Sequence, residues 1–322
     1  MGRLEARNAL VTGASSGIGA ATAQLLAQEG ADVAILARGD GLDEVATRVR
    51  GEGSRAVEVR ADVGDRKALE AAVATAARRL GGLDVVVVAA AAAAFGTFDE
   101  MPPEDFDRCM AVTFGGAVDT IRAVLPHLER SGGTLVVVGS AVDVLPLILM
   151  GPYVAAKSAL SSFLDVLRAE LRAKGSDVSV SEVRPGPVDS PFWRHVTHPE
   201  DVTPPRLPPL TSYSAESVAR AAVACAVRPR SVVTVGGSIV LLQVANKLAR
   251  PLTERVLALG AVVGRATAST DGATNGLWNA SGDGAVKGGL AGRPSLWAAL
   301  RLAGSRPDGL RDLHSADVRT RP

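Results

Sequence analysis

Asn8-Ala9-Leu10-Val11-Thr12-Gly13-Ala14-Ser15-Ser16-Gly17-Ile18-Gly19-Ala20 is the stretch that decides the fold. Residues 8–11 read as a short buried strand. The glycines after it break the strand and open a helix over 17–30, closed by Gly30. A strand that enters a helix through a Gly-rich turn aims the first free N–H groups and the positive end of the helix dipole at one point. That point is a seat for phosphate.

The same alternation continues outward. Strands are expected at 32–37, 56–60, 84–88, 134–139, 178–183 and 231–235, and helices at 42–51, 66–80, 103–128 and 152–174. Strands that are apolar on both faces and separated by crossover helices imply a doubly wound parallel sheet, covered by helices on both sides. Prolines crowd residues 185–210, which read as a long loop over the sheet edge. Tyr213 is expected to anchor the start of the next helix. Three parts result: an α/β domain over 1–237, an appended apolar helix over 238–264, and a Gly- and Arg-rich tail over 265–322, read as partly disordered.

Bulk properties exclude several classes. The 322 residues are 47% hydrophobic with a formal net charge of +1, enough for one large core and too neutral to steer nucleic acid. Cys109 and Cys225 form no CxxC pattern, so neither a disulfide framework nor a zinc site is expected. His195 and His198 lack a third ligand and read as solvated loop residues, leaving no metal site. The residues before the first strand are few, so no signal peptide is expected. Its longest uncharged apolar run, 85–95, is about half the ~20 residues of a membrane span. The expectation is a cytoplasmic protein with no transmembrane segment.

The chemistry sits in Ser140, Tyr153 and Lys157. Tyr153 and Lys157, four apart on a helix, share a face. An ammonium beside a phenol favours the phenolate and is expected to lower its pKa, making the tyrosine a general acid and base near neutral pH. With a dinucleotide seat upstream, this constellation points to carbonyl/alcohol redox chemistry.

Over residues 4–237 the chain resembles the short-chain dehydrogenase/reductase family, whose fold is Rossmann-like. Thr12, Gly13, Gly17 and Gly19 meet its Thr-Gly-x-x-x-Gly-x-Gly fingerprint, and Ser140, Tyr153 and Lys157 its Ser, Tyr-x-x-x-Lys spacing. The resemblance implies that Gly13, Ser15, Ser16, Gly17, Ile18 and Gly19 receive the pyrophosphate. Asp62 and Val63 would contact the adenine, with Ala89 and Ala90 beside the ribose. Pro185, Gly186, Val188 and Ser190 would close over the nicotinamide. Tyr153 would exchange the proton, Ser140 hold the substrate oxygen, and Lys157 bind the nicotinamide ribose. Ala37 stands where an acid would bind a 2′-hydroxyl, with Arg38 next to it, which suits a 2′-phosphate. NADP(H) is therefore the expected cofactor, with NAD(H) as the alternative.

Two positions depart from the family pattern. Its Asn-Asn-Ala-Gly after the fourth strand is replaced by alanines within 89–94, whose added methyl is expected to crowd the adenosine ribose. Its fourth catalytic residue, an asparagine in the long helix, is replaced by Thr113, which keeps the backbone carbonyl and adds a hydroxyl. The two departures motivate a rival reading, a catalytically weak or silent nucleotide-binding or scaffold protein. An epimerase or dehydratase on the same fold lacks an added acid–base residue. Phe192, Trp193 and residues 145–150 offer apolar walls, hence a small hydrophobic carbonyl or alcohol as substrate. The appended helix needs a partner surface, and a homo-oligomer (dimer or tetramer) is the expectation. Asn275-Gly276-Leu277-Trp278 and Gly288-Gly289 resemble an extension found in some longer members.

Overall fold

The computed structural model describes residues 2–143, 147–197 and 212–237, single residues between 240 and 251, and the stretches 276–279 and 283–288. Outside the described residues lie His198, most of the Pro-rich loop, Asn275, most of the appended helix and the tail from residue 289.

Seven strands make one sheet: β1 (Asn8–Thr12), β2 (Asp32–Ala37), β3 (Ala56–Arg60), β4 (Val85–Val88), β5 (Thr134–Val138), β6 (Ser179–Pro185) and β9 (Val232–Val235). Between β6 and β9 in sequence, β7 (Val188–Asp189) and β8 (Tyr213–Ser214) pair separately as a short parallel ribbon. The sheet order is β3-β2-β1-β4-β5-β6-β9, and every pairing is parallel. Chain direction across the sheet therefore reverses between β1 and β4, where strand order places a crevice beyond the strand ends.

Helices α3 (Arg66–Leu80), α5 (Gly116–Ser131) and α6 (Gly151–Ala173) cover one face, with Leu69, Ile121, Leu128 and Leu164 buried beneath them. Helices α1 (Gly17–Gln28), α2 (Leu42–Gly51) and α7 (Ala215–Val227) cover the other, over Leu26, Val45, Val49 and Val218. Local signals account for the boundaries. The Asp65 carboxylate caps α3 by accepting from the Ala68 amide at 3.1 Å, and Gly81 ends the helix in left-handed backbone. Ser214 caps α7 in the same way, directly after Tyr213.

The helix expected over 103–128 is in fact three pieces. α4 (Pro103–Met110) meets α5 through a π-helical turn, Ala111–Gly115, that contains Thr113. Such a turn inserts one extra residue and re-aims the helix beyond it. By length and composition the rod Pro103–Ser131 is apolar enough to cross a bilayer. Here its apolar side, through Ile121, Val124 and Leu128, is buried in the core beside the sheet.

The turn after β1 and the start of α1 are in close contact. A Cβ on Gly19 would overlap the carbonyl oxygen of Gly13. Replacing Gly19 with alanine must push α1 off the sheet. Urea unfolding of Gly19→Ala is expected to show a loss of about 1–3 kcal/mol; undiminished stability would contradict this packing.

Candidate active site

One cleft opens at the reversal between β1 and β4, and most of the residues singled out in the sequence line it. Gly13, Ser15, Ser16, Gly17, Ile18 and Gly19 form its floor at the start of α1, and Arg38 marks the end of β2. Val63, Ala89 and Ala90 line it after β3 and β4, and Ser140, Tyr153 and Lys157 from β5 and α6. Pro185, Gly186, Val188 and Ser190 complete the rim. Gly13 has φ +67°, and a Cβ there would stand 2.7 Å from the Ala90 Cα. Only a residue without a side chain lets β1 turn so close to the end of β4. The bare turn, the helix start and the length of the cleft from Arg38 to Ser190 fit an elongated dinucleotide.

Tyr153 and Lys157 sit in the first two turns of α6, facing Ser140 at the end of β5. Lys157 is 3% exposed, donates to the Val138 carbonyl at 2.7 Å, and lies 5.8 Å from the centre of the Tyr153 ring. Burial pushes the Lys157 ammonium down to about 8, opposed by the Glu182 carboxylate on β6 and by Cys109. Burial also pushes the Tyr153 phenol up to about 12, and the hydrogen bond with Ser140 pulls the other way. This corrects the expectation that the ammonium holds the phenol low. Burial is the largest influence on the phenol, and the Ser140 hydrogen bond does not offset it. The arrangement is a phenol that keeps its proton, bonded to a serine, beside an ammonium with an unusually mobile proton.

The alanine run replaces its lost asparagine with threonines. The Thr12 hydroxyl accepts from the amides of Ala89 at 3.2 Å and Ala90 at 3.4 Å. The Thr113 hydroxyl accepts from the Ala92 amide at 3.0 Å and donates to the Ala92 carbonyl at 2.7 Å. Thr113 is fully buried and does not line the cleft, so its hydroxyl supports the strand end instead of meeting a ligand. Asp62 does not line the cleft either. One carboxylate oxygen accepts from the Gly64 amide at 2.8 Å; the other binds Arg108 and lies 3.6 Å from Arg38. Burial works to raise its pKa, but the Gly64 amide and the two guanidiniums outweigh it and hold the carboxyl low.

Beside Tyr153, Met150, Phe95, Ala93 and Val196 form a separate apolar cluster with Leu147, Phe192 and Trp193 against it. The Phe192 ring is 5.6 Å from that of Tyr153, and Trp193 donates its indole N–H to the Val188 carbonyl at 2.9 Å. His195, expected in solvent, is half-buried and lines the cleft, because the turn Pro191–Arg194 folds back and the His195 amide donates to the Phe192 carbonyl. Burial lowers its pKa. No group of His, Cys, Asp and Glu among the described residues is arranged to hold a metal.

The largest surprise is Arg38. Its guanidinium donates to the backbone carbonyls of Leu277 and Gly276 at 2.9 Å each, and of Asn279 at 3.3 Å. The described part of the tail, a region read from the sequence as partly disordered, is held against the domain, and Gly276 lines the cleft itself. Nothing in the sequence pattern signals this docking, since any residue offers a carbonyl.

A family model described as short chain dehydrogenase matches residues 7–201. The Bacillus subtilis (strain 168) protein named uncharacterized oxidoreductase YxnA is 32% identical over 251 residues, which cover 77% of this chain and 70% of that protein. The solved short chain dehydrogenase of Burkholderia cenocepacia J2315, in complex with NADP, superposes with a TM-score of 0.64 at 30% identity, over 73% of this chain and 98% of that one. That of Mycobacterium paratuberculosis, bound to NAD, gives 0.64 at 27% identity, over 74% and 99%.

The buried lysine makes a prediction about pH. Lys157 titrates near 8 when folded, against an ordinary 10.5. Between those values the unfolded chain holds a proton that the folded chain has released, so stability rises with pH across this window. The cost of the buried charge is complete below pH 8 and gone above 10.5. Tyr153, raised from 10.0 to about 12, acts in the opposite sense only above pH 10. Urea unfolding at about pH 7.5 and 9.5 is expected to show the wild type gaining on Lys157→Met at the higher pH. Equal changes in both would show that Lys157 titrates normally.

Proposed function

The chain belongs to the short-chain dehydrogenase family, and we propose that within it this protein is an NADP(H)-dependent oxidoreductase that interconverts a hydrophobic ketone or aldehyde and its alcohol. Membership makes it an oxidoreductase that uses a nicotinamide cofactor. The observation that carries the finer reading is the convergence of Ser140, Tyr153 and a nearly inaccessible Lys157 on the apolar end of the cleft.

When bound, the nicotinamide supplies or accepts the hydride at the carbonyl carbon. The remaining work falls to the chain. Ser140 holds the substrate oxygen and the Tyr153 hydroxyl together, so the oxygen lies within reach of one proton. In reduction Tyr153 gives that proton to the oxygen as it gains negative charge, and in oxidation takes it back. A phenol with a raised pKa starts in the protonated form that reduction needs. Lys157, pushed down to about 8, replaces the proton and favours the transient phenolate beside it. Phe192, Trp193 and Leu147 exclude water and select an apolar substrate.

Ala37 and Arg38 at the end of β2 support NADP(H), because β2 itself ends on no carboxylate and the Asp62 carboxylate, 3.6 Å from Arg38, is engaged by Arg108. The reading extends to a cytoplasmic dimer or tetramer. Phe98 at 88% and Val166 at 54% exposure offer apolar surface for a subunit contact.

Tyr153→Phe is expected to lower turnover at least ~100-fold on any hydrophobic carbonyl the wild type reduces, with dinucleotide affinity nearly unchanged. Full turnover in that variant would refute the mechanism. Ala37→Asp is expected to move preference from NADPH toward NADH by roughly 10-fold or more; an unchanged ratio of the two dissociation constants would remove the basis for NADP(H).

A further inference from the structure

Two described stretches, 276–279 and 283–288, lie on the cofactor seat and engage the groups a dinucleotide would use. At one end Leu277 is 0% exposed and its amide donates to the Thr197 hydroxyl at 3.0 Å. Trp278 donates its indole N–H to Asp105 at 2.7 Å, with the Arg108 guanidinium 5.6 Å from its ring centre. These anchors hold three carbonyls on Arg38. At the other end the Ala285 carbonyl accepts the Gly17 amide, the first N–H of α1, at 2.8 Å, and the Gly284 amide donates to the Ser15 carbonyl at 3.1 Å. Arg48 binds the Gly284 carbonyl, and Arg194 those of Lys287 and Gly288.

An amide N–H satisfies one good acceptor at a time. A pyrophosphate oxygen that takes the Gly17 amide must therefore displace Ala285. The Arg38 end discriminates further. A 2′-phosphate must compete with three carbonyls for the guanidinium's donors, and it brings negative oxygens toward those carbonyls and toward the Asp62 carboxylate 3.6 Å from Arg38. A 2′-hydroxyl does neither, since it donates to a carbonyl and leaves Arg38 where it is.

Resting on the nicotinamide reading above, we infer that the described stretches 276–279 and 283–288 act as a strap that sets the dinucleotide preference of this enzyme. Its 283–288 part competes with either nucleotide for the Gly17 amide. Its 276–279 part competes with the 2′-phosphate alone for Arg38. The docked strap favours the nucleotide with a 2′-hydroxyl, and its release exposes Arg38 and favours the phosphorylated one. Gly276, Leu277 and Asn279 are thus specificity-determining residues of the cofactor site.

The full-length protein tests this with two variants of the strap. A Cβ on Gly276 would overlap the His195 carbonyl, so Gly276→Val dislodges the Arg38 end. Gly284 has φ +69°, so Gly284→Val dislodges the α1 end. Titration of nicotinamide fluorescence is expected to show Gly276→Val tightening NADPH roughly 10-fold with NADH little changed, and Gly284→Val tightening both about equally. Hydrogen exchange on the wild type needs no variant: NADPH is expected to speed exchange at the amides of 276–279, and NADH to leave them protected. Slower exchange with NADPH, or unchanged selectivity in Gly276→Val, overturns the strap while the seat stands. Failure of wild type and both variants to bind either nucleotide overturns the seat, and the strap with it.

Discussion

The turn between β1 and α1 has no room for a side chain, and the rest of the molecule is arranged around that constraint. Gly13 lies against Ala90 at the end of β4, and Gly19 lies against the Gly13 carbonyl. The first contact fixes how closely β1 and β4 end, at the place where the sheet reverses. The second fixes α1 so that its first amides face the cleft. Two buried threonines, Thr12 and Thr113, then satisfy the backbone of the alanine run after β4. An apolar run with unpaired amides would not stay folded against the cleft floor.

Burial governs the chemistry more than charge does. The sequence suggests an ammonium that lowers a phenol, and the structure shows the opposite balance, with the phenol raised to about 12 and the ammonium lowered to about 8. Both shifts share one leading cause, desolvation by burial, at a cleft end lined by Leu147, Phe192 and Trp193. Such a pair, a phenol that holds its proton and an ammonium that releases one readily, suits relay of a proton from the second to the first.

Much of this was legible in the sequence. All seven strands of the main sheet fall where the sequence places them. The central β1, β2, β4 and β5 are continuous apolar runs because they are buried on both faces, while the edge strands β3 and β9 are partly exposed. Asp65 and Gly81 mark α3 at both ends. Ser140, Tyr153 and Lys157 are brought together as their spacing suggested, although spacing could not show that burial reverses the expected shift of the phenol. Other features have no local signature. The π-helical turn at Ala111–Gly115 packs, with α4, against α6, which begins only at Gly151. Thr113 reads as the stand-in for the family's fourth catalytic residue, and its hydroxyl's partner, Ala92, lies 21 positions away. Arg38 reads as a phosphate ligand, and its carbonyl partners lie up to 241 positions further along the chain. A carbonyl carries no residue identity, so composition and spacing cannot announce such a contact.

The central claim is that this cleft moves a hydride between a nicotinamide and a carbonyl carbon while Tyr153 moves the proton. The most direct test is turnover of hydrophobic ketones and aldehydes with NADPH carrying deuterium at the transferring position of the nicotinamide ring, read by mass spectrometry of the product. The account predicts an alcohol with one deuterium on the former carbonyl carbon. Nucleotide that binds with no alcohol formed from any carbonyl compound, or an alcohol without the label, would contradict it.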